Sequence, residues 1–304
     1  MCRHLAYLGP PVTVHALVFG PPSGLAKQAW APRRQRHGTM NVDGFGIGWY
    51  AGADPVPARY RRGEPIWGDP SLPDLARVTS SGAVLAAVRS ATPGTASGPE
   101  AAAPFGSGPW LFSHNGAAER WREWGEAAFG SCAGLARPAG RPGPMPEAGP
   151  PGLLSSLEAL SDAALLWALT RQRLRAGLAL DAALAGTVAA VEAAGGTGRL
   201  NLLLTNGRSV AATAYGDTLW YRQRGATSVT VASEPDDDGP GWTEVPDRHL
   251  LTATPSRVRV RPLPDRSPAP SSMAAAPAGH GASAGASSAD HDSPLATTSA
   301  PKGS

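Results

Sequence analysis

The sequence predicts an α+β layered domain, because strand-like runs and amphipathic helices interleave along most of its length. Five short apolar, β-branched runs are separated by turn signals, two helix-period patterns lie between the second and third of them, and the 42% hydrophobic content is enough to bury sheets beneath helices. The runs are AVLAAVRS at 83 to 90, WLFSHNG at 110 to 116, LNLLLTNG at 200 to 207, SVAATAY at 209 to 215 and SVTVASE at 228 to 234. TNGRS, between the third and fourth, predicts a hairpin turn. Ser161 or Asp162 provides an N-cap for a helix carrying Leu165, Leu166 and Leu169 at three- and four-residue spacings. Leu180, Leu184, Val188 and Val191 repeat the same period in a second helix.

Two changes of character bound this domain. The segment 130–152, GSCAGLARPAGRPGPMPEAGPPG, is dominated by Gly, Pro and Ala and predicts a mobile surface loop. The stretch 264–304 is small, polar and free of aromatics, which predicts a disordered tail unable to offset its ordering entropy. One domain is therefore expected over 1–263.

Charge and cysteine usage exclude several functions. Twenty-seven Lys and Arg against 24 Asp and Glu, without long blocks of one sign, is too small an excess to predict a nucleic-acid partner. The two cysteines, Cys2 and Cys132, cannot make a metal site alone, and reduced thiols predict a cytoplasmic setting. No segment has the length or apolarity for a membrane span or secretion signal. The seven histidines fall at no metal-ligand spacing and are expected to be structural or superficial. Nothing in the sequence opposes a homo-oligomer.

Candidate chemistry begins at Cys2. Removal of Met1 would leave a thiol and a free α-amine on one residue, and an α-amine titrates near pH ~8, so nucleophile and base would coincide. Taken alone, Cys2 is equally a small hydrophobe or a lipidation site. Asn115 and Gly116, read as the end of the WLF strand before a helix-like AERWREW, could converge on an oxyanion or could form a plain Asn-Gly turn. Arg89 ends a strand, where its guanidinium could grip a carboxylate or make a surface ion pair. Thr92 could join it or serve the turn before Pro93. Asp162 could receive an ammonium or act as a helix cap. The three glycines of NVDGFGIGWY allow close approach of another chain segment or a ligand and predict a wall of the site. The basic runs Arg33, Arg34, Arg36 and Arg59, Arg61, Arg62 predict solvated faces. Trp30, Trp49 or Trp110 could meet a quaternary ammonium through its ring or belong to the core.

In combination, MCRHLAYLG, NVDGFGIGWY, VRSATPG, FSHNG and SDAALL resemble the class II glutamine amidotransferases, which are N-terminal-nucleophile hydrolases. QAWAPRRQRHGTMNVDGFGIGWY, RLNLLLTNG, YGDTLW and VASEPDDDGPGWTEVPDRHLL resemble the ergothioneine-pathway branch more narrowly. The resemblance spans residues 1 to about 263, apart from the Gly/Pro loop. It implies a four-layer αββα sandwich and hydrolysis of a small-molecule γ-glutamyl amide without metal or organic cofactor. Carried over by position, Cys2 is the nucleophile with its amine as base. Asn115 and Gly116 form the oxyanion hole, Arg89 with Thr92 holds the glutamate α-carboxylate, and Asp162 its α-ammonium. Ala163 departs from the family's usual Ser after that Asp, which implies a looser head-group contact. A glutaminase subunit feeding a separate synthetase and an inactive binding protein on the same fold are the competing readings.

Overall fold

A computed structural model describes residues 2–52, 54–92, 94–131 and 157–264. The chain divides after Ser267 into two units, and the second lies outside the described residues, as do Cys132 and most of the expected Gly/Pro loop and tail.

Among the described residues thirteen strands build two antiparallel sheets. The first contains β1 (Arg3–Thr13), β2 (Phe45–Trp49), β3 (Ala58–Arg62), β4 (Ser80–Val88), β9 (Trp220–Arg224), β10 (Ser228–Ala232) and β11 (Trp242–Glu244), in the order β11-β9-β10-β1-β4-β2-β3. The second contains β5 (Phe105–Ser107), β6 (Trp110–Glu119), β7 (Thr197–Thr205), β8 (Val210–Ala214), β12 (His249–Thr254) and β13 (Arg257–Pro262), in the order β13-β12-β8-β7-β6-β5. Each expected strand is present. TNGRS turns β7 into β8, with Asn206 Oδ1 accepting from the Arg208 and Ser209 amides at 3.0 and 2.9 Å and Gly207 at φ +80°.

The central strands of both sheets are buried on both faces, which explains why β4, β7 and β8 are continuous apolar runs rather than alternating ones. In β1, Leu5 points outward to α1 (Val14–Val18), α2 (Leu25–Gln28) and α3 (Leu72–Val78), joining Phe45, Val84 and Leu72. Ala6 and Leu8 point inward and meet Leu85, Leu111, Leu203 and Leu251 between the sheets. On the far side, Leu202 and Leu204 of β7 pack under α4 (Trp121–Gly130), α5 (Asp162–Arg175) and α6 (Leu180–Ala193), where the Phe112 and Trp167 rings stack with centroids 5.4 Å apart. Each fully buried Leu contributes roughly 1.5–3 kcal/mol. The result is the four-layer αββα sandwich.

Two local expectations are corrected. β6 continues to Glu119, paired with β7 from Leu111 opposite Thr205 to Glu119 opposite Thr197, so Asn115 and Gly116 lie in mid-strand rather than at a strand end or in a turn. The helix after them consequently starts at Trp121, beyond Arg120, whose φ of 47° makes the junction. The glycines of β2 also serve a different end from a ligand wall. A Cβ at Gly46 would collide with the Ala103 carbonyl, and one at Gly48 would lie 2.7 Å from Leu111 Cδ1. They admit neighbouring chain, and the segment they admit carries the wall.

Candidate active site

The register of the first sheet sets the site. Arg3 opposite Val88 places the start of β1 beside the end of β4, so Cys2 adjoins Arg89 and Ser90. The Cys2 thiol is free, partly buried, and 4.0 Å from the Ser90 carbonyl, a weak contact. These residues open on a pocket lined also by His114 and Gly116 of β6 and by Ser161 to Ala163 at the start of α5. Ala101, Ala103 and Phe105 supply an apolar wall. Cys2, Arg89, Thr92, Gly116 and Asp162 therefore share one cavity.

Asn115 is the exception. Strand alternation turns its side chain away from the lining and into the space between the sheets, where it is fully buried. Its Nδ2 donates to Ser233 Oγ at 3.3 Å and its Oδ1 has no partner among the described residues. Ser233 Oγ also accepts from the His4 amide at 3.0 Å, which ties Asn115 to the strand that begins beside Cys2. Gly116 must remain glycine, because a Cβ there would run into the Arg199 carbonyl on β7.

Arg89 is buried rather than a surface cation. It donates to the Asp43 carbonyl at 3.1 Å, the Ala96 carbonyl at 2.8 Å and Thr95 Oγ1 at 3.0 Å. Three of the five N–H groups of a guanidinium are thus engaged, and the fork is held rigid with capacity left for a carboxylate. Thr92 lines the same region, and its carbonyl accepts from Thr95 Oγ1 at 2.7 Å.

Asp162 is not the helix cap. Ser161 is, accepting from the Ala164 amide at 3.2 Å. The Asp162 carboxylate instead accepts from the Ala118 and Ala163 amides, both at 2.9 Å, and lies 3.9 Å from His114 Nδ1. His114, which sequence analysis counted as structural or superficial, lines the pocket. Its Nε2 is 2.9 Å from the Arg199 carbonyl, which can only accept, so the neutral ring carries its proton on Nε2 and presents Nδ1 to Asp162. Burial holds its pKa below the ordinary imidazole value, with Asp162 opposing. The HNG triplet was the available signal: in a strand, residues two apart share a face.

Of the three tryptophans, Trp30 is 53% exposed, Trp49 and Trp110 pack against the outer cores, and none lines the pocket. Among the described residues no group of three or more His, Cys, Asp and Glu is placed to hold a metal ion, and no helix is long and apolar enough to cross a membrane.

No family model matches the chain. It is 41% identical over 263 residues to the γ-glutamyl-hercynylcysteine sulfoxide hydrolase of Mycolicibacterium smegmatis, covering 86% of this chain and 100% of that protein. It is 42% identical to the protein of the same name from Mycobacterium tuberculosis, covering 86% and 97%. In structure it is similar to a class II glutamine amidotransferase-type domain protein from Silicibacter pomeroyi, with a TM-score of 0.58 at 23% identity over 86% of this chain and all of that one. With a matching fold and this identity over nearly the whole length of its relatives, the chain belongs to the γ-glutamyl-hercynylcysteine sulfoxide hydrolase family.

Proposed function

We propose that the chain hydrolyses the γ-glutamyl amide bond of γ-glutamyl-hercynylcysteine sulfoxide, releasing glutamate and hercynylcysteine sulfoxide, with Cys2 as N-terminal nucleophile after loss of Met1. The observation that carries this reading is the convergence of Cys2, Arg89, Gly116 and Asp162 on one pocket in a chain of this family. The α-carboxylate of glutamate meets the Arg89 fork, with Thr92 beside it. Its α-ammonium meets Asp162, and the His114 Nδ1 adds a second acceptor facing the same place. This places the side-chain carbonyl at Cys2.

The Cys2 amine takes the thiol proton, and the thiolate attacks the γ-carbonyl carbon. The oxyanion is held by the Gly116 N–H, and by the Asn115 amide once its side chain turns from Ser233 toward the pocket. As the C–N bond breaks, the amine returns the proton to the departing nitrogen and a glutamyl thioester remains. Water, deprotonated by the same amine, cleaves the thioester to free glutamate and the restored thiol. These steps use neither a metal nor an organic cofactor, and the reaction is expected to proceed in the cytoplasm.

The test measures glutamate release by the purified protein from this substrate and from glutamine, alongside the intact mass of the mature chain. The expected outcome is loss of one methionine, faster release from the γ-glutamyl thiohistidine derivative, and background turnover in a Cys2→Ala variant that melts like the wild type. Retained Met1, or equal rates in the two proteins, removes Cys2 from the mechanism, and rapid ammonia release from glutamine alone makes the chain a glutaminase.

A further inference from the structure

Arg3, next to Cys2, is fully buried, yet its Nε, Nη1 and Nη2 have no hydrogen-bond partner among the described residues. Alternation along β1 sends its side chain to the face opposite Cys2 and His4, at the end of the sheet where β10 and the approach to β9 also terminate. Two carboxylates are near enough to interact, and neither satisfies it. Asp217 Oδ1 stands 4.0 Å from Nη1, beyond hydrogen-bond range, and accepts from the Thr218 amide at 2.8 Å, while its buried Oδ2 has no partner among the described residues. Glu234 is engaged by the amides of Arg33 and Arg34 at 3.0 and 2.7 Å. A guanidinium recruited only to pair with Asp217 would make the bidentate geometry that stabilises such pairs. This one keeps a buried, partly offset positive charge one residue from the nucleophile.

The other charged groups near this corner are held by partners of their own. Arg89 donates to the Asp43 and Ala96 carbonyls and to Thr95 Oγ1, and the Asp43 carboxylate accepts from the Ala91 amide at 2.7 Å. His4 is buried and neutral, its pKa pushed down to about 3, and His114 is likewise held below its ordinary value. Asp162 lies across the pocket with two backbone amides on it.

We propose that Arg3 is a positioning residue that keeps the terminal amine of Cys2 unprotonated at neutral pH, with Asp217 setting how much of its charge the amine feels. A neighbouring cation disfavours the ammonium form, so the amine loses its proton below the ordinary value near ~8 and serves as base in the physiological range. The proposal rests on the assignment of the Cys2 amine as general base.

The acid limb of the pH profile of kcat/KM tests it in the mature full chain. Arg3→Met moves that limb upward by about one pH unit or more, Arg3→Lys leaves it near the wild type, and Asp217→Asn moves it downward. Titration of the terminal amine by its ¹⁵N chemical shift in ¹⁵N-cysteine-labelled protein gives the same order without requiring turnover. A wild type that releases no glutamate therefore removes the proposed function while this measurement still decides the role of Arg3. Coincident limbs and coincident titration curves overturn the proposal, as does a raised KM with an unmoved limb, which would make Arg3 a substrate contact. If Arg3→Met does not fold, Asp217→Asn carries the test, and an unmoved amine in that variant overturns it.

Discussion

The two ends of the pocket are built on opposite plans. At the head-group end, polar groups are already tied down: Arg89 has three protein acceptors, Asp162 two amide donors, and Thr92 is braced through Thr95. At the nucleophile end they are not. The Cys2 sulfur makes one long contact, and behind the lining Asn115 Oδ1, His4 Nε2 and all three guanidinium nitrogens of Arg3 lack a partner among the described residues. Binding a fixed zwitterion calls for rigid, preorganised groups, whereas a proton and an oxyanion that come and go call for spare donors and charge in a buried setting. The difference divides specificity from chemistry within one cavity.

The largest expected effect falls at the nucleophile end. Asn115→Ala is expected to lower kcat by roughly a hundred- to a thousandfold with KM little changed, as when one oxyanion donor is removed from a hydrolase. Steady-state glutamate release measures it. A change confined to KM would place Asn115 in binding and break the division.

The next effect is on stability. His4 sits unexposed between the sheets, with Nδ1 3.1 Å from Ser113 Oγ, and its pKa is lowered to about 3 by burial first and then by His114 and Arg3. The unfolded chain binds a proton near pH ~6.5 that the folded chain refuses, so stability is complete above that pH and declines as pH falls from there toward 3. The decline approaches ~1.4 kcal/mol per pH unit in this window, about 2 kcal/mol between pH 6.5 and 5. His114, also held low, adds to it with the same sign. Urea midpoints at pH 7 and pH 5 measure the loss, and His4→Gln is expected to flatten it. An unchanged slope in that variant would show that the spare polarity at this end costs the fold nothing.

A smaller effect is expected at the head-group end. Arg89→Lys keeps the charge and loses the fork, and one charge-assisted hydrogen bond at about 1.5–3 kcal/mol corresponds to roughly tenfold or more in kcat/KM. The loss should appear in KM. A loss in kcat alone would show that the two ends are not separable.

How much of this was legible depended on the kind of signal. Leu165, Leu169 and Leu184 announced their helices because a 3.6-residue period survives without tertiary context, and TNGRS announced its hairpin because few residues accept the turn. Strand length was not legible at β6. The stretch NGAAE has no period of its own and is extended only because β7 pairs with it as far as Thr197. For the candidate site, the order of Cys2, Arg89, Gly116 and Asp162 along the chain pointed to residues that the fold brings to one pocket. His114 was hidden because one histidine carries no spacing, and Arg3 because its missing partners exist only in three dimensions.

The smallest effect concerns Ala163, where the family's usual serine is absent. Ala163 lines the pocket beside Asp162, and its amide already donates to Asp162 Oδ1 at 2.9 Å, so the backbone supplies part of what a hydroxyl would add. An Asp162 already holding two amides has less to gain from a third donor, and a serine hydroxyl there would be free to accept from the substrate ammonium. Ala163→Ser is accordingly expected to lower KM by a few-fold, in line with about 0.5–1.5 kcal/mol for one hydrogen bond, and to leave kcat unchanged. Steady-state kinetics on the γ-glutamyl substrate decide it. An unchanged KM would mean that Asp162 and His114 Nδ1 already saturate the ammonium. A raised kcat would mean that tightening the head group also tightens the reacting carbonyl, joining the two ends that the hydrogen bonds keep apart.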